Sequence, residues 1–305
     1  MTKILITGAQ GLLGSNFIPE ASKKFLVVGT YFENSNVAKY KNVIYHKMDI
    51  RDEKAVNKAV DEYMPDIIIH TASIGNVDIC EKNKKDAYQT NILGTKHLAL
   101  RAQKIKAKFI FFSTNAVFDG ENAPYHEKSK PNPINYYGKT KYKGEKLVSD
   151  ILSEQIILRL NTMYGWHKKG ERENPMTWIL KRLKNREKTF VVNDIFNNHL
   201  YVKSAVEALL KVLCNWKAGE IYHIAGADCV SRYDFFQVVA DLFGYQKNDL
   251  YPVDSSFFDK IAPRPKNTCF KLTKMQSNLK LEPLSIRDGI FDMKKEMGKF
   301  DEKIN

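Results

Sequence analysis

The chain opens with Lys3-Ile4-Leu5-Ile6-Thr7, a short aliphatic run, and passes directly into Gly8-Ala9-Gln10-Gly11-Leu12-Leu13-Gly14 before Ser15 to Lys23, which reads as a helix. Strand, glycine turn and helix in that order constrain the fold more than any other stretch, because a dinucleotide-binding sheet begins this way. In such a unit Gly8 permits the tight turn, Gly11 lets backbone amides approach a pyrophosphate, and Gly14 lets helix and strand pack closely. The spacing is G-x-x-G-x-x-G, not the commoner G-x-G-x-x-G, so its weight comes from its place between strand and helix. Gln10, Leu12 and Leu13 complete the expected seat of the pyrophosphate.

Strands and helices then alternate. Phe25–Tyr31, Val43–Met48, Asp66–Ser73, Lys108–Phe112 and Gln155–Leu160 read as strands, with helices through Val60 and from Asp86 to Lys104 between them. Ile67 to Ile69 is apolar without interruption, as befits a strand buried on both faces of a parallel sheet. The order predicts an α/β fold, a Rossmann-type doubly wound parallel sheet. Ligands lie at the carboxyl ends of such strands, which makes Thr30, Tyr31, Asp49, Ile50, Thr71, Ala72, Ser73 and Leu160 candidate cofactor contacts. An acidic residue at the end of the second strand would hold the ribose 2′-hydroxyl of NAD. Thr30 and Tyr31 stand there, with Glu33 beyond, so NADP(H) is favoured over NAD(H), and Lys39 or Lys41 is a candidate for the 2′-phosphate.

The chemistry is expected around Tyr137-Gly138-Lys139-Thr140-Lys141. On a helix, Tyr137 and Lys141 share one face, a phenol beside an ammonium. A neighbouring positive charge stabilises the phenolate and brings its pKa down from about 10, which makes the pair an acid–base device. Thr114, at the end of the Lys108 strand, is a candidate hydrogen-bond donor to a substrate oxygen.

After Asn161 the pattern changes. A helix from Trp178 to Asn185, a strand from Thr189 to Asn193, an amphipathic helix from Val202 to Leu213, a last sheet strand at Glu220–Gly226 and a helix from Ser231 to Phe243 are expected, with closing helices near Thr273 and Ser285. Residues 1–164 and 199–226 are therefore assigned to a nucleotide-binding domain, and 165–198 with 227–305 to a smaller discontinuous α/β substrate domain.

The formal charge of +13 raises the question of nucleic acid, but the lysines are dispersed without a long basic tract. They read as a solvated surface, part of which attracts a doubly anionic ligand. No run of about 18 apolar residues is present, so no membrane span is expected. Cys80, Cys214, Cys229 and Cys269 stand apart, with no C-x-x-C pair and no histidine at zinc spacing, which predicts neither a disulfide framework nor a metal site and fits a reducing cytoplasm.

Gly8/Gly11/Gly14, His70-Thr71-Ala72-Ser73, Asn91-Ile92-Leu93-Gly94-Thr95, Ser113-Thr114 and Tyr137-x-x-x-Lys141 together resemble the extended short-chain dehydrogenase/reductase superfamily. Within it, Ser113 to Gly120, Tyr137 to Lys141 with Gly144-Glu145, Val191 to Asp194, and Arg264-Pro265-Lys266-Asn267 followed by Leu272 and Lys274 are similar to the dTDP-4-dehydrorhamnose reductases. The resemblance implies reduction of the C4 keto group of a nucleotide-linked 4-keto-6-deoxy sugar in deoxysugar and surface-polysaccharide biosynthesis. Tyr137 would protonate the forming alkoxide, Lys141 would lower the tyrosine pKa and hold the nicotinamide ribose, and Thr114 would bond the reacting oxygen. Asn91 would support the cofactor site near Lys141. Asn115, Val117, Phe118, Trp166, Asn174 and Arg264 would meet the substrate, Arg264 as a pyrophosphate ligand, and a homodimer is possible.

Two departures fall in the substrate pocket. Asn115 stands where the group commonly has Asp, and Thr162 where it often has Trp. A 4,6-dehydratase would need an Asp-Glu pair after Thr114, which Asn115-Ala116 does not supply. Two alternatives remain open: a non-catalytic regulatory subunit of the methionine adenosyltransferase type, and a nucleotide-sugar 4-epimerase.

Overall fold

The computed structural model describes residues 1–33, 38–167, 173–258 and 262–297. In chain order the elements are β1 (Lys3–Thr7), α1 (Leu12–Ala21), β2 (Leu26–Tyr31), β3 (Val43–Lys47), α2 (Glu53–Tyr63), β4 (Ile67–His70), α3 (Val77–Lys82), α4 (Lys84–Tyr88), α5 (Gly94–Ile105), β5 (Lys108–Thr114), α6 (Tyr136–Ile151) and β6 (Gln155–Leu160). There follow β7 (Met163–Tyr164), α7 (Pro175–Lys184), β8 (Thr189–Val192), β9 (Phe196–Asn198), β10 (Leu200–Tyr201), α8 (Val202–Cys214), β11 (Ile221–Ile224), β12 (Cys229–Ser231), α9 (Arg232–Phe243), β13 (Leu250–Val253), α10 (Thr273–Leu279) and α11 (Ile286–Lys295).

Seven strands form one parallel sheet in the order β11-β6-β5-β4-β1-β2-β3. The expected doubly wound architecture is present, and the Glu220 strand joins the sheet beside β6. Side-chain alternation divides the core between the two faces. Ile4, Ile6, Val27, Ile67, Ile69, Ile110, Phe112, Ile156 and Leu158 pack on one face with α1 and α8. Leu5, Val28, Ile68, Phe109, Phe111 and Ile157 pack on the other with α2, α5 and α6. That is why these strands read as unbroken apolar runs: each face has its own helices to meet.

The remaining short strands pair in twos, β10 with β7, β12 with β9 and β13 with β8. Among the described residues no helix is long and apolar enough to cross a membrane.

Two expectations are corrected here. The helix foreseen from Asp86 to Lys104 is two helices, α4 and α5, joined by a π-helical turn at Gln89–Leu93. Cys229 and Cys269, 40 residues apart, are joined by a disulfide, with their Cα atoms 5.7 Å from each other. The antiparallel pairing of β12 with β9 and the bridge between Phe196 and Asn267 bring them together, a long-range arrangement that cysteine spacing does not reveal.

Candidate active site

The glycine turn takes its shape from contacts a side chain would obstruct. Gly8 has φ +69°, and a Cβ there would lie 2.8 Å from Thr71 Oγ1. A Cβ on Gly14 would lie 2.4 Å from the Gly8 carbonyl, so helix and strand touch at that point. No side chain caps α1, whose N-cap is Gly11, so the first amides of the helix are left for an anionic group. This cradle fits a dinucleotide pyrophosphate. The Ala9 amide donates to the Thr30 carbonyl at 3.0 Å, which fixes the turn against the end of β2.

A chain of hydrogen bonds holds the neighbouring β4 loop. The Thr95 hydroxyl donates to the Asn91 carbonyl (2.7 Å) and therefore accepts from His70 Nε2 (3.0 Å). His70 Nδ1 is then an acceptor for the Thr7 hydroxyl (2.8 Å), whose oxygen takes the amides of Thr71 and Ala72. Burial, with the charge of Lys141 nearby, pushes the His70 pKa down to about 3, in keeping with this neutral tautomer. Asn91 is buried and its amide is fully engaged: it accepts from the Ile74 amide and donates to the Ile74 carbonyl and to Thr140 Oγ1 on α6. Its work is to tie the loop to the helix.

That helix, α6, begins one residue before Tyr137. Asn135 caps it, accepting from the Gly138 amide at 2.8 Å. Gly138 allows the helix to lie against the Ala116 carbonyl, where a Cβ would approach to 2.1 Å. Tyr137 is half-buried and Lys141, one turn on, is buried, with Nζ 4.2 Å from the centre of the Phe111 ring. Burial lowers the Lys141 pKa to about 7, against the opposing pull of the Glu145 carboxylate. A phenol and an ammonium on one helix face can pass a proton to an oxygen at the strand ends. Thr114 ends β5, with its hydroxyl donating to Asn115 Oδ1 (3.1 Å) and accepting from the Ala116 amide (3.2 Å).

The other cofactor candidates surround these groups. Thr30 and Leu160 are buried at the ends of β2 and β6, and Tyr31 is half-buried. Ile50 is packed against Gly94, where a Cβ would come within 2.7 Å of its Cδ1. Asp49 is held by Arg51, Nη2 to Oδ2 2.7 Å, and hydrogen bonding from that guanidinium lowers its pKa. Lys39 and Lys41 are exposed.

Residues 1–298 match the family model described as the RmlD substrate binding domain. The chain belongs to the RmlD substrate-binding domain family. It is 30% identical over 294 residues to the dTDP-4-dehydrorhamnose reductase of Aggregatibacter actinomycetemcomitans, covering 93% of this chain and 95% of that one. It is 29% identical to the methionine adenosyltransferase 2 subunit beta of Rattus norvegicus, over 90% of this chain and 82% of that one. Among solved structures, the dTDP-4-dehydrorhamnose reductase of Bacillus anthracis in complex with NADP superposes with a TM-score of 0.84 at 28% identity, covering 97% and 100% of the two chains. This RmlD-family chain is an NAD(P)-dependent oxidoreductase of the extended short-chain dehydrogenase/reductase kind.

The structure separates the six expected substrate residues of this family member. Asn115 faces a polar cluster: its Nδ2 lies 3.1 Å from Asn161 Oδ1, 2.9 Å from Asn197 Oδ1 and 2.6 Å from Thr268 Oγ1. Val117 and Phe118 are both fully buried. The turn at Asn115–Val117 folds both inward, and Phe118 stacks on Tyr125 with ring centres 4.1 Å apart. Trp166 gives its indole N–H to the Met293 carbonyl of α11 (2.7 Å) and sets its ring against Phe243. Asn174 is the N-cap of α7, closing a capping box with Thr177, and its Nδ2 binds the Gly165 carbonyl. Arg264 is bound bidentately by Asp78 of α3, at 2.5 and 2.6 Å.

A polar row that the sequence motifs do not predict lies beneath α6. Ser113, Arg159 and His223 are register neighbours on β5, β6 and β11, and Glu145 descends onto them from α6. Arg159 meets Glu145 through Nε (2.9 Å) and Nη2 (2.7 Å), and the Ser113 hydroxyl donates to the same carboxylate at 2.5 Å. The signal was there: Arg159 is the one charge in Gln155-Ile156-Ile157-Leu158-Arg159-Leu160, and a charge inside a strand covered on both faces needs a buried counter-charge.

Proposed function

We propose that this chain reduces the C4 keto group of a nucleotide-linked 4-keto-6-deoxy sugar, with NADPH preferred to NADH, in deoxysugar or polysaccharide biosynthesis. The observation that carries the reading is the pairing of Tyr137 with the buried Lys141 on one face of α6, beside the strand end that holds Thr114. Sequence identity to a dTDP-4-dehydrorhamnose reductase along nearly the whole chain supports the substrate class.

A dinucleotide lying across the strand ends with its pyrophosphate over Gly8 to Gly14 would supply the hydride from its nicotinamide. Tyr137 donates a proton to the alkoxide oxygen, and Lys141 holds its positive charge beside that phenol. Thr114 turns its hydroxyl from Asn115 to the reacting oxygen as negative charge gathers there. Residues 165–198 and 227–305 contribute the substrate side of the cleft, and the lack of an acidic residue at Thr30 and Tyr31 supports NADPH. The reading includes a cytoplasmic location and no nucleic-acid partner.

Tyr137→Phe tests the mechanism. NADPH binding, followed by fluorescence titration, stays within about twofold of wild type, while turnover of a dTDP-4-keto-6-deoxyhexose falls by roughly 10²–10⁴, the usual scale of general acid catalysis. Wild-type turnover in this variant overturns the role of Tyr137, and a clear preference for NADH overturns the cofactor choice.

The similarity to a methionine adenosyltransferase subunit supports a second reading, a regulatory subunit. It predicts tight association with a partner enzyme and no NADPH oxidation with any keto sugar. A 4-epimerase would instead retain NAD through purification.

A further inference from the structure

Three cationic side chains line a cleft of about 540 Å³ bounded by α7, α9, β8 and the segment after Ala262, and they are not equivalent. Arg264 is neutralised by both oxygens of Asp78 and also donates to the Ala262 carbonyl (2.6 Å). Lys266 is paired with Asp194 and lies 2.7 Å from Ser255 Oγ. Arg232, the first residue of α9, has no ion pair and no side-chain hydrogen bond among the described residues, and its Nε is shielded from solvent without a partner.

An unpaired guanidinium whose Nε is withdrawn from water is costly, because that desolvation is not offset by any Coulombic gain. Its surroundings sharpen the deficit. Burial and the charge of Arg264 both disfavour the protonated form of Arg232, and the ring of His199, stacked on Phe235 at 4.0 Å, has no partner on either nitrogen. Aromatic side chains share the cleft: Trp178 and Phe236 have ring centres 5.8 Å apart, and Phe258 also lines the wall. A flat base can lie against such a wall while a doubly charged group meets the guanidinium. The cleft adjoins the catalytic helix, since Asn135, the cap of α6, donates to the carbonyl of Pro263 in its lining at 2.9 Å.

We infer that Arg232, and not Arg264, is the residue that binds the phosphates of the nucleoside diphosphate carried by the substrate. Arg264 instead latches the segment after Ala262 to α3 through Asp78. The inference rests on the nucleotide-sugar reading but concerns binding alone, so the two fail separately.

The test is calorimetric titration of the full chain with dTDP, thymidine and inorganic pyrophosphate. Wild type binds dTDP at least tenfold more tightly than thymidine, and binds pyrophosphate measurably. Arg232→Gln reduces dTDP affinity at least tenfold, leaves thymidine and NADPH affinities within twofold, and leaves the thermal midpoint unchanged or higher, since an unpaired charge has been removed. Arg232→Lys recovers part of the loss. With a turned-over keto sugar, Arg232→Gln raises KM and leaves kcat within about twofold. Unchanged dTDP affinity in Arg232→Gln overturns the assignment, as does a lowered thermal midpoint with parallel losses for all three ligands. If dTDP binds through Arg232 and no keto sugar is reduced, the inference stands and the proposed reaction falls.

Discussion

Two of the polar regions taken out of water among the described residues are completed to different degrees. Beneath α6, Glu145 is held by Arg159 and Ser113, and Arg159 also reaches the Glu127 carbonyl (3.3 Å) and His223 (3.4 Å). The His223 ring donates its Nδ1–H to the Tyr125 carbonyl (3.2 Å), which leaves Nε2 to accept from Arg159. At the start of α9, by contrast, His199 and Arg232 Nε have no partner among the described residues. Buried polar groups in folded proteins are nearly always satisfied, so a closed network is scaffold and an open one lies where a ligand is expected to complete it. The network under α6 fixes the helix that carries Tyr137 and Lys141, and Arg232 of the open pair lines the cleft.

The largest effects that would break this comparison are expected in the closed network. Glu145→Leu or Arg159→Met alone strands a buried charge and lowers unfolding free energy by about 3–5 kcal/mol. The double variant regains most of that loss, because a pair replaced by apolar groups of similar size leaves nothing unpaired. Urea unfolding of the three variants decides it, and additive losses would show that Glu145 and Arg159 do not act as a unit.

Next come the two histidines, equally buried but unequally bonded. His70→Ala leaves the Thr7 hydroxyl without its acceptor, while Thr95 still donates to the Asn91 carbonyl, and should cost about 1–3 kcal/mol for the donor left unsatisfied. His199→Phe keeps a ring against Phe235 and breaks no hydrogen bond, so its cost is below about 1 kcal/mol. Equal losses in urea would erase the distinction between a closed and an open region.

How far the sequence reaches follows the same division. Gly8, Gly14, the strand runs and the Tyr137–Lys141 spacing are local patterns, and local sterics with alternation suffice to place them. The site around Asn115 is assembled from residues 46, 82 and 153 positions away, which no window of sequence contains. Trp166 and Asn174 are residue types that suit ligand recognition. Their polar atoms are instead engaged by Met293, Gly165 and the first amides of α7. The partner of Arg264 is equally remote in sequence: Asp78 lies 186 residues away. Arg232 gave no signal in sequence, since a charged first residue after a serine cap is common on exposed helices.

A third prediction concerns acid. His70 and His199 both have pKa values lowered to about 3 from 6.5, chiefly by burial. The unfolded chain then binds more protons between those values, so their stabilising contribution is complete above about pH 6.5 and is lost as pH falls towards 3. The thermal midpoint should fall through that window, to which the buried His223, also held well below the usual histidine range by burial, contributes as well. His199→Phe should flatten the fall by removing one of these groups. An unchanged slope would mean that His199 is not held neutral by its surroundings.

The smallest expected effect is the most direct test of whether the closed network reaches the chemistry. Lys141 has its pKa depressed to about 7 by burial, and the Glu145 carboxylate, one turn along α6, works against that depression. The alkaline limb of kcat/KM for NADPH oxidation reports free-enzyme groups and should include this ammonium. Glu145→Gln removes the opposing negative charge, so the limb moves to lower pH, by up to about one unit. Arg159→Met leaves the carboxylate without its neutralising guanidinium, which strengthens the negative field at Lys141 and moves the limb to higher pH. A merely structural network would give two destabilised enzymes with unmoved profiles. Opposite displacements, measured at a temperature where both variants are folded, require the charges themselves to act on Lys141.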